Sequence, residues 1–276
     1  MRQVPPLANL YWSQCGLYPG EGEISPFDFQ ARVKSAAKVG FRGIGIWVTD
    51  LEHTMISRPL KEMRAILDDN GVGMFEVEFL TDWFVDGARR TESDNRKKRL
   101  FEASAALGAH HVKVGDFYNT PVTMSRLIDE FGALCREAQS FGATIGFEFM
   151  ASAMIHSLEE SLQMTAGHSN GGIVVDIVHA AMLGIDHDAI AKIPRSQLVS
   201  VELNDGVTRS NPRFDNGATR FYCGEGEFDI AGFIAAIEAT GYSDAWAVEV
   251  FGPQLKGLSL DELNRRAFDT TARMFR

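Results

Sequence analysis

The chain has 276 residues, 45% of them hydrophobic, and a formal net charge of −10. That length suits one large α/β domain or two small ones, and a core of that size needs no disulfide staples. The acidic balance argues against nucleic acid, whose binding rests on Lys and Arg neutralising phosphates. No run approaches the roughly 20 apolar residues of a membrane span, and the N-terminus shows no apolar signal segment. The three cysteines, Cys15, Cys135 and Cys223, lack a CxxC spacing. They read as free thiols in a reducing compartment, so a cytoplasmic location is expected.

Residues 6–12 read as a first strand, followed by a Gly-rich loop through Glu23. Ser25-Pro26-Phe27-Asp28 predicts a helix start, with Ser as the cap, Pro at the first helical position and Asp in the first turn. That helix runs to Val39 and stops at Gly40. Residues 43–47 form the second strand and 59–70 a helix ended by Gly71. Residues 74–79 form the third strand, carrying Glu76 and Glu78. A helix at 93–107 stops at Gly108, residues 111–114 are the fourth strand, and a helix at 124–141 stops at Gly142. The fifth strand is 144–149, with a helix at 157–166. The sixth is 172–176, with short helical pieces at 179–183 and 188–192. The seventh is 198–203, and a long polar loop then spans 205–227. Asp229 caps a helix that ends at Gly241, residues 245–250 are the eighth strand, and a helix at 259–274 closes the chain.

Eight strands alternating with helices imply parallel βαβ units. Eight such units close into a (β/α)₈ barrel of about 250 residues. A doubly wound open sheet is the competing arrangement, but no GxGxxG follows the first strand. No linker or low-complexity segment interrupts the chain, so residues 1–276 are read as a single domain.

Four consecutive strands stop on a carboxylate: Gly146-Phe-Glu148, Val174-Val-Asp176, Ser200-Val-Glu202 and Ala247-Val-Glu249. Buried carboxylates must be paired, protonated or bound to a cation. Two unit charges about 4 Å apart repel by roughly 4 kcal/mol at an effective dielectric near 20. Four acids converging at one end of a sheet therefore require a divalent metal, nearby Arg or Lys, or captured protons. Strand alternation puts Glu148 on the face of Gly146 and Thr144, Glu249 on that of Ala247 and Ala245, and Glu202 on that of Ser200 and Asn204. Small residues there fit a barrel interior beneath a crowded site. For any one acid, a solvated strand end or a local Arg pair is an equally good account. The fourfold repetition is what points to a site.

The run Gly172-Ile-Val-Val-Asp176-Ile-Val-His179, the Glu148 and Glu249 strand ends, Val201-Glu-Leu-Asn-Asp205 and the turn Gly224-Glu-Gly-Glu-Phe-Asp229 carry a resemblance. They look like the xylose-isomerase-like barrel superfamily. Its members include sugar-phosphate isomerases and epimerases, ketose 3-epimerases, hydroxypyruvate isomerase, inosose dehydratase and 3-dehydroshikimate dehydratase. The resemblance covers nearly the whole chain and is specific for the superfamily rather than for one activity. It implies that Glu148, Asp176 and Glu249 are metal ligands, that Glu148 and Glu249 are the acid/base pair, and that His179 contacts substrate. Most members have His on strand seven, where this chain has Glu202. The dehydroshikimate dehydratases also lack that His and use Gln. Either Glu202 completes an all-oxygen ligand set, or three side chains and water hold the metal. The endonuclease branch uses extra histidines on early strands, where this chain has Trp47 and Glu76.

Other residues are candidates with bland alternatives. Lys113, on the fourth strand, is placed to polarise a substrate carbonyl or to balance excess carboxylate; snorkelling at a strand end is the alternative. Glu78 is expected to pair with Lys113. Arg209, Arg213 and Arg220, with Asn211 and Asn216, are able to grip a phosphate or carboxylate, although an exposed solvated loop is the simpler reading. Trp12, Trp47, Trp83 and Phe84 suit a sugar-stacking wall at a barrel mouth, and Trp83-Phe84 equally a subunit contact. His53 and His156 read as incidental, and His110 and His111 receive no role. The substrate-binding set is thus His179, Trp12, Trp47, Lys113 and Arg213.

The expected activity is isomerisation or epimerisation of a small polyhydroxy ketone or aldehyde. Oxygen ligands favour Mn²⁺ or Mg²⁺, with Co²⁺ or Zn²⁺ as alternatives. One glutamate would remove the proton α to the carbonyl, giving an enediolate, and the other would return it. A dehydratase is the near rival, since the same intermediate expels a β-hydroxyl. A catalytically silent sugar-binding subunit is the third reading, disfavoured because both Glu148 and Glu249 are present. A homo-oligomer is compatible with the sequence, and neither nucleic acid nor membrane is expected as a partner.

Overall fold

The computed structural model describes residues 3–17, 19–207 and 220–276. Its eight strands are β1 (Leu7–Asn9), β2 (Gly43–Trp47), β3 (Met74–Leu80), β4 (His111–Val114), β5 (Ile145–Glu148), β6 (Gly171–Asp176), β7 (Leu198–Leu203) and β8 (Trp246–Val248). All pair in parallel, in chain order, and β8 returns to β1, so the sheet is a closed barrel. Nearly every strand residue is buried. This is the expected state of a parallel sheet covered by helices on one side and packed on itself on the other.

The helices are α1 (Tyr11–Gln14), α2 (Phe29–Val39), α3 (Val48–Ser57), α4 (Leu60–Asp69), α5 (Gly87–Leu107), α6 (Met124–Gln139), α7 (Leu158–Thr165), α8 (Ile177–Met182), α9 (His187–Ile190), α10 (Ile230–Ala239) and α11 (Leu260–Arg273). The longer ones lay an apolar stripe on the barrel, as α6 does with Leu127, Phe131, Leu134 and Cys135. In α11 a reciprocal capping box between Ser259 and Glu262 fixes the first turn. None of the described helices is long and apolar enough to cross a membrane.

Several local expectations are corrected. The first strand ends at Asn9, and residues 11–14 turn into a short helix, which brings Trp12 over the barrel's C-terminal end. Asp28, not Ser25, caps α2, accepting from the Gln30 and Ala31 amides. Ser25 is used elsewhere: its hydroxyl donates to the Cys15 carbonyl and its amide to Asp50. Helix α3, absent from the expected elements, follows β2 directly and carries no side-chain cap. Helix α5 begins at Gly87, before Ser93, through a charged stretch lacking apolar periodicity. Pairs such as Arg90 with Asp94, 3.0 Å apart one turn on, support it instead. Trp83 and Phe84 are buried; Trp83 packs edge-on against Phe131 of α6 and Phe147 of β5, so neither a sugar wall nor a subunit contact describes them.

Candidate active site

The four strand-end acids meet at the C-terminal end of the barrel. Glu148 ends β5, Asp176 ends β6, Glu202 lies in β7 and Glu249 follows β8. Each offers a carboxylate oxygen within 4.8 Å of the others, and Glu148, Asp176 and His179 form an overlapping group of the same kind. Register explains part of this. Asp176 and Glu202 are direct partners across β6 and β7, and Glu202 faces Ala247 across β7 and β8. Below Glu148, Gly146 leaves space that a Cβ would close, since it would fall 2.7 Å from His111 and 2.8 Å from Val174.

Asp176 does two jobs. Its Oδ1 accepts from the Val178 amide at 3.0 Å, capping α8, and from Asn204 Nδ2 at 2.7 Å. The cap sets the direction of α8 and so aims His179, whose Nε2 lies 3.4 Å from Glu148 Oε1. Arg220 enters from the far side. Its guanidinium contacts Glu249 and lies 2.8 Å from Asp176 Oδ2 and 3.2 Å from His179 Nε2, with its plane 4.3 Å over Phe251. Arg220 is held there by the backbone: Asp205 and Phe221 exchange two hydrogen bonds. The Asp205 carboxylate also accepts from the amides of Gly206, Gly224 and Phe228. Gly226 has to be glycine for this turn, because a Cβ would lie 2.4 Å from Asp205 Oδ1. Arg213, with Arg209, Asn211 and Asn216, lies outside the described residues.

Beneath the four acids is a buried network the strands bring together. Lys113 Nζ lies 2.7 Å from Glu202, 2.9 Å from Glu78, 3.3 Å from Glu76, 3.6 Å from Glu249 and 3.7 Å from Glu148. Of the two parts considered for Lys113, it takes that of a counter-charge, and it does not line the cavity above. Glu78 pairs with it, as expected. His111, given no role by the sequence, is fully buried with Nε2 3.2 Å from Glu76 Oε2. Burial pushes its imidazole well below the ordinary value, with His110 and Lys113 adding to the effect.

The electrostatics follow from crowding. Burial raises Glu76 to about 8 despite Lys113, and burial raises Glu202 well above the carboxylate range. Burial also opposes ionisation of Glu148, but Lys113, His179 and Arg220 outweigh it and bring that carboxyl down to about 2. Lys113 is disfavoured by burial, yet the surrounding carboxylates hold it well above its usual value. Among the described residues, six carboxyl groups thus face two cations, Lys113 and Arg220. The proton affinity of Glu76 and Glu202 removes part of the excess, and a divalent cation suits the remainder. Glu202 Oε2 is buried without a hydrogen-bond partner, and Asp176 Oδ2 sits near Arg220 without hydrogen-bond geometry. Oxygen donors with unused lone pairs, beside one imidazole, fit a hard divalent ion.

Above the acids opens a cavity of about 510 Å³. Glu78, Glu148, His179, Arg220 and Glu249 contribute to its floor, and Trp12, Trp47, Phe79, Phe117 and Phe251 to its walls. Phe117, in the loop after β4, was not a candidate from the sequence. His53 and His156 do not line it.

The chain belongs to the xylose isomerase-like TIM barrel family, whose model matches residues 33–275. It is 27% identical over 233 residues to a 3-dehydroshikimate dehydratase of Pseudomonas aeruginosa PAO1, covering 80% of this chain and 36% of that protein. It is 24% identical over 149 residues to an inosose isomerase of Bacillus subtilis 168, covering 52% of this chain and 53% of that protein. The chain therefore spans about a third to a half of these relatives. Among solved structures, one of the IOLI protein with a bound zinc atom superposes with a TM-score of 0.87 at 17% identity, covering 100% of this chain and 98% of that one. That likeness is one of fold.

Proposed function

We propose that the protein is a divalent-metal-dependent enzyme that moves a proton at the carbon next to a carbonyl in a small polyhydroxylated substrate. The observation that carries this is the convergence of Glu148, Asp176, Glu202 and Glu249 at the C-terminal end of the barrel, where Glu148 and Glu249 reach the floor of an aromatic-walled cavity. Glu148, Asp176 and Glu249 would hold the ion, with Glu202 as a fourth oxygen donor. When bound, the ion supplies a Lewis acid that offsets charge developing on the substrate oxygens. Mn²⁺ or Mg²⁺ suits the oxygen-rich donor set; the zinc of the IOLI structure puts Zn²⁺ in the trial panel too.

The chain's own residues do the proton work. Glu148, held ionised by Lys113, His179 and Arg220, is equipped to take a proton from carbon. Glu249, on the next-but-two strand around the barrel, approaches from another direction and is equipped to return one. Arg220 orients Glu249 and, with His179, offers donors to a substrate oxygen. Trp12 and Trp47 line the cavity and exclude water from the reacting end. Return of the proton to carbon gives isomerisation or epimerisation. Delivery to a departing β-hydroxyl gives dehydration. The Pseudomonas relative, matched over 80% of this chain, supports the second outcome.

The test is exchange of the α-proton with deuterated solvent. Protein loaded with Mn²⁺ is incubated with a panel of ketoses, inososes and 3-dehydroshikimate, and substrates are read by NMR. Exchange or product formation with at least one compound is expected. Metal and polyol binding without exchange across the panel would favour a silent binding subunit.

A further inference from the structure

The cavity is divided in a way that a small polyol does not require. Its described polar lining is concentrated on the floor, with only Glu23 and Ser152 elsewhere. Each buried substrate hydroxyl needs a hydrogen-bond partner, and among the described residues those partners lie mainly near the acids. Three of the lining aromatics form a stack of near-parallel rings. Trp47 and Phe79 have centroids 5.9 Å apart at 20°, Phe79 and Phe117 4.6 Å at 22°, and Trp47 and Phe117 6.2 Å at 24°. Trp47 and Phe79 are buried, while Phe117 is 45% exposed at the rim. Phe117 thus carries the apolar lining of the cavity out to solvent. The volume lies within the roughly 300–1,000 Å³ of small-molecule and cofactor pockets.

We infer that the substrate carries, beside its oxygen-bearing reacting end, a flat apolar substituent such as an aromatic ring, which packs against the free side of the Trp47, Phe79 and Phe117 stack. This rests on the metal-dependent reading for the reacting end and adds the chemistry of the other end. The polyhydroxylated part meets the floor, and the substituent extends along the aromatic wall toward Phe117 and solvent. Stacked rings favour a planar partner over an alkyl group of similar size, because offset contact between π faces adds to area burial.

The experiment compares phenyl and methyl glycosides of glucose, galactose and xylose by calorimetric titration into Mn²⁺-loaded protein. For at least one sugar, the phenyl glycoside should bind about 10-fold or more tightly than the methyl glycoside, the effect of burying one ring against others. In Phe117→Ala, with an unchanged melting transition, that ratio should fall towards one. Phe117→Tyr should retain it. Equal affinities across all three sugars, no binding by any glycoside, or a preference untouched by Phe117→Ala would each overturn the inference. None of these readouts involves turnover. A failure of proton exchange therefore counts against the catalytic reading, and a failure of the phenyl preference against this one.

Discussion

Lys113 Nζ lies 2.7 Å from Glu202 Oε1 in the interior of the barrel, and neither side chain reaches solvent. The contact joins β4 to β7 across the barrel axis. It gives Glu202 a partner that the strand-seven position would not otherwise have, and it sets a permanent positive charge directly beneath the candidate ligands. Glu202 is therefore shared between a structural ammonium and the site above it.

Removing that ammonium should cost stability. Lys113→Met leaves Glu76, Glu78 and Glu202 buried without their counter-charge. Breaking a buried ion pair from one side typically costs about 3–5 kcal/mol. Urea denaturation of metal-free wild type and variant should show a loss of that order. A loss below about 1 kcal/mol, the scale of an exposed pair, would mean that Lys113 does not anchor the network.

The candidate metal site should bind about one divalent ion per chain. Mass action at a hundredfold excess over Kd adds about 2.7 kcal/mol of stability, so titration with Mn²⁺ should raise the melting temperature. Asp176→Asn should weaken this response while also loosening the start of α8, since the Asp176 carboxylate caps it. No rise with Mn²⁺, Mg²⁺, Co²⁺ or Zn²⁺ would count against a metal centre.

Glu148→Gln and Glu249→Gln preserve side-chain shape and an oxygen donor but remove the proton acceptor. Each should lower turnover by about 10²–10⁴-fold, the usual contribution of a positioned acid or base, with metal binding reduced only in part. The two should differ in solvent exchange. A variant lacking only the returning group still washes deuterium into substrate without completing the reaction. Two variants with wild-type rates would remove both residues from the chemistry.

The pH dependence of metal-free stability is expected to carry two opposite signatures. Glu148 is held at about 2 against an ordinary 4.5, so its contribution is present above 4.5 and is lost as pH falls towards 2. Glu76 is raised from 4.5 to about 8, so the folded state binds its proton more tightly. Its contribution is full below 4.5 and is lost as pH rises towards 8. Subtracting the stability of Glu76→Gln from that of wild type isolates the second effect. The difference should shift against wild type between pH 4.5 and 8, and a flat difference would show that Glu76 titrates normally.

The sequence by itself determined the barrel and the four acids at its C-terminal end. Strand alternation, Gly stops such as Gly40 and Gly108, and the repeated apolar run ending in a carboxylate are local signals set by backbone geometry. It also placed Trp12, Trp47 and His179 near those ends, where the cavity lining includes all three. Only the tertiary structure decided that Lys113 meets five carboxylates, that His111 supports Glu76, and that Trp83 turns into the packing between barrel and helix. Arg220 stood among several loop arginines until the Asp205–Phe221 backbone pairing carried it to Glu249 and Asp176. Lys113 and Glu202 are 89 positions apart. Such contacts depend on barrel closure and on which way each strand's alternation falls, and periodicity within a single strand carries no information about what waits across the axis.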